Sequence, residues 1–327
     1  MSIEKVSKTT LMSGGGKRKR VIKFKDYSVN MLFAIIPVIG FCIFSLVPYV
    51  LSVYMSFTEM HTSEISGAIW VGFRNYKEIF TKYFGEIKYT LLTTVFYTLN
   101  VPIGIAISVW IAQLVNRVKI GKAFFRSLFF IPYVCAVTVI VISFRFIFDE
   151  SSGILNTWLE GFGFEPVRWM TSSPFLFLGC AIIISVWSGL GYKVVLLMAA
   201  LSKVDRSYYE AAEIDGISET AMFWKITLPA ITPTIAFLLT MGLIGSFQEM
   251  SMLYVLCRSA DGTPMWGGNV IRSYISVTYY LYNMMFATPH LHGFGLASAI
   301  GWVLGICIFI ITKINMKLQE KWVCYDF

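Results

Sequence analysis

Residues 210–229 read EAAEIDGISETAMFWKITLP, and this polar stretch lies between apolar segments long enough to cross a membrane. Its five charged side chains are Glu210, Glu213, Asp215, Glu219 and Lys225. Each charge at the centre of a bilayer costs roughly 2.5–3.5 kcal/mol or more. The stretch is therefore predicted to lie outside the membrane, as a loop between two spans.

The same loop has the pattern of a folded element. Asp205 can cap a first helical turn, residues 208–213 are helix formers, and Gly216 can supply a left-handed helix end. A second short helix is expected to start near Ser218 and to end before Pro229. The loop is thus predicted to be a rigid helix–glycine–helix element that projects from the bilayer.

Outside this loop the composition is that of a membrane protein. Of the 327 residues, 56% are hydrophobic and 14% are charged, and the mean hydropathy is +0.67. Several apolar segments can each cross about 30 Å of hydrocarbon at about 1.5 Å per residue. They are Val29–Phe57, Tyr89–Val115, Leu128–Phe148, Pro174–Ala200, Ala230–Leu256 and Phe294–Thr312. The predicted fold is an all-α integral membrane protein with six transmembrane helices.

These segments divide the chain into tails, a first helix, an outer loop and a core. The first segment is too long for a signal-peptide core and lacks a small-residue cleavage site, so it is expected to remain as a helix. The predicted parts are a basic tail at 1–28, the first helix at 29–57, an outer loop at 58–88, a five-helix core at 89–317 with the charged loop at 205–229, and a second tail at 318–327.

Lysines and arginines are concentrated on one side of the predicted membrane. Eighteen of the 27 fall in the basic tail, in the loops within 117–126 and 203–225, and at Lys313, Lys317 and Lys321, against seven in the opposite segments. Eight lie in the first 25 residues, with KRKR at 17–20, a run that nuclear-targeting signals also show. Because cytoplasmic loops carry an excess of positive charge, both termini and the charged loop are expected to face the cytoplasm.

The sequence shows no pattern of an enzyme or of a nucleic-acid-binding protein. The histidines His61, His290 and His292 lack metal-ligand spacing, and the six cysteines include no CxxC pair, so neither a metal nor a disulfide is expected. Gly14 opens GGGKRKR, which lacks the GxxxxGK[ST] phosphate-binding pattern. The net charge of +8 does not form one basic face with interleaved aromatic side chains. Any ATP hydrolysis is therefore expected on a partner chain.

The predicted outer segment 259–293 is rich in Tyr, Gly, Asn and Trp. Its one sustained apolar run is 270–282, which is too short to cross a membrane. Periodicity does not separate a re-entrant helix from an interfacial helix over so short a run.

Several residues of the charged loop match, at the right spacing, the EAA…G…I-LP loop of permease subunits of ABC importers. They are Glu210, Ala211, Ala212, Gly216, Ile226, Leu228 and Pro229. From about Tyr89 to Lys317 the chain resembles the carbohydrate-uptake branch of that family, which includes maltose- and glycerol-phosphate-type permeases. Further matches are Arg126 with Pro132, Gly153, Asn156, Ser246–Gln248 and Gly295–Ile300. The chain departs from the family at Asp205, where proline is usual, and at 261–264, which only echo a GGP signature.

The resemblance implies the type I ABC importer permease fold, with a cytoplasmic coupling helix between helices four and five. In that family a second homologous permease subunit pairs with the first, an ATPase subunit dimer docks beneath them, and an extracytoplasmic solute-binding protein delivers the solute. The resemblance further implies a sugar or oligosaccharide substrate and a location in a bacterial inner or plasma membrane. It implies neither enzyme activity nor a cofactor for this chain, with ATP-Mg held by the ATPase subunits.

The resemblance also assigns coupling to the ATPase to particular residues of the charged loop. They are Glu210, Ala211, Ala212, Asp215, Gly216, Met222 and Phe223. Glu210 would orient the loop through charge-assisted contacts, and Gly216 would form its elbow. Met222 and Phe223 would offer an apolar docking face, or would instead be buried against the chain's own inner helix ends.

Polar residues within the predicted spans are candidates for the substrate pathway, because a charge in a span usually faces a cavity or a partner. Glu249 is predicted to share one face of the fifth helix with Gly242 and Ser246. In maltose-type relatives the matching segments line the sugar site, which implies the set Ser188, Gly189, Tyr192, Gly242, Ser246, Gln248 and Glu249. Glu249 could instead contact the second permease subunit. Lys193 could snorkel to the membrane surface or pair with Glu249.

Two other functions fit parts of the sequence. Importers of phosphate, polyamines and amino acids share the EAA loop, so the solute could belong to one of those classes, although the flanking matches favour carbohydrate. A membrane receptor or enzyme whose charged loop binds a regulator would show a similar projection. Such a protein would not copurify with an ATPase.

Overall fold

The structure, a computed structural model, describes residues 24–61, 64–258, 276–287 and 289–324. The chain forms two compact units, Met1–Ser52 and Val53–Phe327. In the described part of the first unit, α1 (Phe24–Phe41) leads through a wider π-helical turn (Cys42–Leu46) into α2 (Val47–Ser56). The stretch Ile35–Ser56 is long and apolar enough to cross a membrane, in agreement with the first predicted span.

The second unit begins with a small hairpin that the sequence did not predict. Strand β1 (Thr58–Glu59) pairs antiparallel with β2 (Ile69–Trp70), and a single 3₁₀ turn (Ile65–Gly67) lies between them. Helix α3 (Arg74–Thr81) follows, and its buried Asn75 amide donates to the carbonyl oxygens of Ser56 and Thr58, each at 2.9 Å. The predicted all-α fold class holds, and this pair of two-residue strands is a local addition whose main-chain pairing depends on contacts that the local sequence does not show.

The next span is longer than predicted, and the third is broken. Helices α4 (Phe84–Tyr97) and α5 (Asn100–Arg117) form one 34-residue span. Helices α6 (Lys122–Val134) and α7 (Val137–Ile147) are bent by 94°. The predicted span 128–148 is interrupted near its middle, because Cys135 and Ala136 both adopt extended backbone, with ψ of 144° and 132°. Within the described residues, five helices can cross a membrane, or six if the bent pair is one span.

A short helix α8 (Ile154–Gly161) precedes α9 (Pro174–Leu201), which lies between two hydrophobic clusters of the unit. Phe177 and Ile184, near its start, belong to a cluster with Leu253 and Ile300. Near its end it contributes to the second cluster, formed by Val101, Ala112, Val194, Leu197 and Ile231. Because one helix contributes to both clusters, α9 links the two hydrophobic clusters of the unit.

The fifth span differs from prediction at both ends. After α10 (Arg206–Ile214), the helix α11 (Glu219–Met222), a π-helical turn (Phe223–Thr227) and α12 (Leu228–Phe247) run on as one helix. The predicted end before Pro229 is wrong, because Pro229 lies in the first turn of α12 and directly follows the wider π-helical turn, so its missing N–H does not break the helix. At the other end α12 stops at Phe247, and α13 (Ser251–Arg258) starts separately.

The last part of the bundle contains α14 (Val277–Tyr282), a π-helical turn (Asn283–Ala287) and α15 (Pro289–Gln319). Residues 270–275 of the predicted re-entrant or interfacial run lie outside the described residues, whereas Val277 and Tyr279 of α14 are buried. The Thr278 hydroxyl donates to the Phe247 carbonyl oxygen at 3.1 Å, so α14 fills the gap where α12 ends. Helix α15 is interrupted at Gly293, with φ of 71°, and its second part covers the predicted last span and extends to Gln319.

Candidate functional site

The charged loop begins with the cap that the sequence predicts. The Asp205 carboxylate accepts a hydrogen bond from the Ser207 backbone N–H at 2.9 Å, at the start of α10. This backbone hydrogen bond holds the pKa of Asp205 below its usual range. Asp205 therefore caps the start of α10, at a position where the resembled family usually has proline.

The elbow between α10 and α11 has the geometry expected of Gly216. This residue has a φ of +70°, and its N–H donates to the Glu213 carbonyl oxygen at 3.1 Å. The next N–H, of Ile217, donates to the Ala212 carbonyl oxygen at 2.9 Å, which completes a Schellman helix end. The Ser218 hydroxyl then accepts from the Ala221 N–H at 3.4 Å and starts α11. The predicted order of helix, glycine and helix is confirmed.

Two polar contacts hold the charged loop against the bundle. The Tyr209 hydroxyl lies 3.0 Å from the Thr227 hydroxyl, which joins α10 to the π-helical turn below α12. The Arg117 guanidinium, at the end of α5, donates to the Glu219 carboxylate at 2.8 Å. Ala212 is 3% exposed, so this alanine packs inward and is not available to a partner. The loop is a folded extension of the helices rather than a flexible connection.

The outward face of α10 combines charge with one apolar side chain. Arg206 and Glu210 form an i, i+4 ion pair, with Nε 3.1 Å from Oε1, and both side chains are largely exposed. Ile214, one further turn along, is 87% exposed. Ala211 and Asp215 are also exposed. Sequence reasoning missed Ile214, although an apolar residue four positions after Glu210 in an otherwise polar helix was the available signal.

Met222 and Phe223 do not form an open apolar face. Both are half-buried, and Phe223 packs against the cluster shared by α5, α9 and α12. Phe223 therefore lies against the chain's own helix ends, whereas the half-buried Met222 agrees with either of the two alternatives that the sequence left. The neighbouring Trp224 is 62% exposed and contacts the Phe223 ring edge to face, with 5.3 Å between ring centroids.

Of the predicted pathway residues, Gly242 and Ser246 face another helix of the same chain. A Cβ at Gly242 would lie 2.5 Å from the Val101 Cγ1 atom, so the glycine allows α12 to approach α5 closely. The buried Ser246 hydroxyl accepts a hydrogen bond from the Asn100 amide at 3.0 Å. Both residues therefore contribute to packing between α5 and α12.

Glu249 does not share a helical face with Gly242 and Ser246. It lies in the break between α12 and α13, and its carboxylate accepts from the Met252 N–H at 2.9 Å. The expectation of a mid-span Glu249 is wrong, because the helix ends two residues earlier and the carboxylate caps the next helix. Gln248, in the same break, is exposed.

The remaining pathway residues lie together on α9. The Tyr192 ring stacks on Tyr133 of α6, with centroids 5.4 Å apart and planes 20° apart. The Ser188 hydroxyl donates to the Ser185 carbonyl oxygen at 3.2 Å, and the Lys193 ammonium lies beside Gly189. Within the described part of the chain, no ion pair joins Lys193 to Glu249, so that predicted pairing is wrong.

Asn156, noted in the sequence only as a match, organises the loop before α9. Its buried amide accepts from the Val167 N–H at 3.0 Å and from the Trp169 indole N–H at 2.9 Å. It also donates to the carbonyl oxygens of Glu150 and Val167, at 3.0 and 2.9 Å. Nearby, a Cβ at Gly153 would lie 2.3 Å from the Asp149 carbonyl oxygen, which explains the glycine. The searched residues hold no group of three or more metal-ligating side chains.

The chain belongs to the family described as "Binding-protein-dependent transport system inner membrane component", which matches residues 104–323. It is similar to the probable ABC transporter permease protein YesP of Bacillus subtilis strain 168, with 32% identity over 96% of this chain and 99% of YesP. It is also similar to the arabinooligosaccharides transport system permease protein AraP of the same organism, with 32% identity over 92% of this chain and 91% of AraP.

The fold agrees with this family. It matches a chain from the crystal structure of a bacterial ABC transporter involved in the import of the acidic polysaccharide alginate, with a TM-score of 0.73 and 21% identity. The match covers 91% of this chain and 98% of that chain. The protein is thus a multi-pass membrane protein with the ABC importer permease fold.

Proposed function

We propose that the chain is one of two permease subunits of an ABC importer for a sugar or oligosaccharide. An extracytoplasmic binding protein delivers the solute, and separate ATPase subunits drive transport. The observation that carries the proposal is the charged loop, in which a capped helix and a glycine elbow lead into one continuous helix, Glu219–Phe247. The carbohydrate class is supported by AraP, whose name assigns arabinooligosaccharides to it.

The exposed face of α10 is the proposed contact with the ATPase. Arg206, Glu210 and Ile214 follow one another at four-residue spacing, so they form one stripe on the helix. An exposed apolar side chain one turn from a charged pair has the composition of a protein interface, where the apolar anchor is buried on docking. Buried Ala212 and half-buried Met222 and Phe223 support the stripe from within.

Motion of α10 reaches the membrane through two connections. The Tyr209–Thr227 hydroxyl pair joins α10 to the base of α12, and Gly216 fixes the angle between α10 and α11. Since α11 and α12 are one helix, a displacement of the loop moves α12 against α5, where Gly242 and Ser246 make close contacts. ATP-Mg is held by the ATPase subunits, and this chain holds no cofactor.

The proposed orientation places both termini and the charged loop in the cytoplasm of a bacterial cell. The positive-charge distribution supports it, since 18 of the 27 lysines and arginines lie in the basic tail, in the loops within 117–126 and 203–225, and at Lys313, Lys317 and Lys321. Asn156 and its loop would then face the binding protein. A second homologous permease subunit completes the pathway, and Gln248 and Glu249 stay candidates for contact with it or with the solute.

The solute class is tested by calorimetry on the cognate binding protein with neutral and acidic oligosaccharides. Micromolar or tighter binding of at least one oligosaccharide is expected, in the range usual for specific recognition. A binding protein that takes only an inorganic anion, an amine or an amino acid would overturn the carbohydrate class and leave the permease role intact.

The coupling role is tested with Glu210→Ala and Ile214→Ser in the assembled importer. Loss of the Arg206–Glu210 pair removes only about 0.2–0.5 kcal/mol of helix stability, so α10 stays folded. Both variants are expected to keep normal membrane levels and to lose ATPase copurification and solute uptake. Glu213→Ala is the matched control, since it removes the same charge from the same helix. Unchanged uptake in Glu210→Ala and Ile214→Ser would refute the proposed contact.

A further inference from the structure

The most unusual charge in the bundle is Lys193, within the membrane-spanning helix α9. A Cβ at Gly104 of α5 would lie 2.6 Å from the Lys193 Nζ atom, and a Cβ at Gly189 would lie 3.1 Å from it. The ammonium therefore occupies a slot that exists because two residues on two helices lack side chains. A lysine directed to lipid would need no such slot.

The side chain extends toward the middle of its helix rather than toward the nearer end. Gly189 is one turn N-terminal to Lys193 and lies close to the centre of Pro174–Leu201. Snorkelling would require the opposite direction, toward Leu201 about 12 Å away at 1.5 Å per residue. The ammonium therefore lies between α5 and α9, beside Gly104 and Gly189, within a helix long and apolar enough to cross a membrane, where an unpaired charge is costly.

The chain provides little to neutralise this charge. Over the described ranges no carboxylate pairs with Lys193, which is half-buried and so open to a group from outside the chain. One turn from Gly104 on the same face of α5, the fully buried Ser108 hydroxyl has no hydrogen-bond partner among those residues. Because the Ser108 hydroxyl is enclosed by the chain, the group open to a ligand at the α5–α9 contact is the Lys193 ammonium.

We propose that Lys193 binds a carboxylate of the solute during transport, so the importer accepts acidic oligosaccharides of the uronate type. The inference rests on the proposed function. Gly189 and Tyr192 are pathway candidates, and the Tyr192–Tyr133 stack gives the same part of α9 an aromatic surface suited to a sugar ring. A carboxylate that arrives with the solute is proposed rather than one from the second permease, because Gly189, which lines the slot, is one helical turn from Tyr192 and its stack on Tyr133.

The test uses the complete importer, with its own binding protein, reconstituted in proteoliposomes. ATP-driven uptake is measured for a panel of di- and trisaccharides in matched pairs, such as digalacturonate and galactobiose, which differ in the carboxylate. Wild type is expected to import at least one acidic member. Lys193→Gln is expected to lower that uptake by about tenfold or more, because a hydrogen bond to a charged group is lost.

Further variants separate the ligand role from folding. Lys193→Arg keeps the charge and is expected to retain most acidic uptake, whereas Gly104→Ala is expected to lower it because the new Cβ displaces the ammonium. Gly179→Ala, on the same helix with open space around it, is the control with unchanged uptake.

Three outcomes would overturn the inference, and each has a different consequence for the proposed function. Uptake of neutral sugars alone by wild type rejects the acidic ligand and leaves a sugar importer. Equal loss of all uptake in Lys193→Gln, with loss of the second permease from the complex, identifies a contact between subunits instead. Uptake of no sugar, with uptake of an amine or a phosphate, rejects both proposals.

Discussion

The Arg117 Nη1 atom lies 2.8 Å from the Glu219 Oε2 atom, although the residues are 102 positions apart in the chain. The contact joins the end of α5 to the start of the helix that continues into α12. Both side chains are more than half exposed, so the pair contributes at most about 1 kcal/mol. The pair matters because it links these two helices, and not because it contributes much stability.

Reversal of the charge at Arg117 should therefore lower solute uptake only modestly, and a compensating change at Glu219 should restore it. Arg117→Glu brings two carboxylates together and is expected to lower uptake a few-fold without loss of protein from the membrane. The double change Arg117→Glu with Glu219→Arg restores an opposite pair and should recover most uptake. Uptake assays on both single variants and the double variant measure this coupling, and simple additivity would contradict it.

The loss of uptake on substitution of Gly216 should depend on how well the new residue tolerates left-handed backbone. Nothing lies within 4 Å of a Cβ there, so the cost comes from the φ of +70° alone. That cost is roughly 1–2 kcal/mol for an ordinary residue, equivalent to about 5- to 30-fold, and smaller for asparagine. Uptake is expected to fall in the order Gly216, Gly216→Asn, Gly216→Ala, Gly216→Val. Equal activity of the asparagine and valine variants would contradict a conformational role.

The crossing of α6 and α9 should not tolerate a methyl group at Gly191. A Cβ there would lie 2.4 Å from the Phe129 carbonyl oxygen and 2.8 Å from the Phe130 Cα atom. These are backbone atoms, so the helices must separate, at a cost of about 1–3 kcal/mol. Thermal unfolding in detergent should show a lower midpoint for Gly191→Ala than for Gly179→Ala, which enters open space. Identical midpoints would rule out the close crossing.

Loss of the Asn156 amide should loosen the outer loop. Asn156→Ala leaves the Val167 N–H and the Trp169 indole N–H without their acceptor, at about 1–3 kcal/mol for each buried group. Cleavage by trypsin after the exposed Arg168 is expected to accelerate, as followed on membranes with the outer face accessible. Thr157→Ala, which loses one bond to the Gly153 carbonyl oxygen, should change it little. Slow cleavage of both variants would contradict this role of Asn156.

The sequence by itself determined the features that depend on neighbouring residues. Hydropathy placed the apolar segments because the cost of charge in hydrocarbon is a property of the segment. Asp205 and Gly216 were predictable as a cap and an elbow, since each acts on backbone atoms a few residues away. The EAA pattern of the charged loop could be read for the same reason.

Only the tertiary structure decided which faces meet. Met222 and Phe223 are apolar in either setting, and contact with other helices is what half-buries them. Glu249 matched a helical period, but the helix ends at Phe247, where α14 supplies Thr278 as a hydrogen-bond donor. Gly104 lies beside the Lys193 ammonium, although it is 89 residues earlier in the chain. Contacts between distant segments have no local signature, because side-chain direction becomes fixed only when the partner helix is in place.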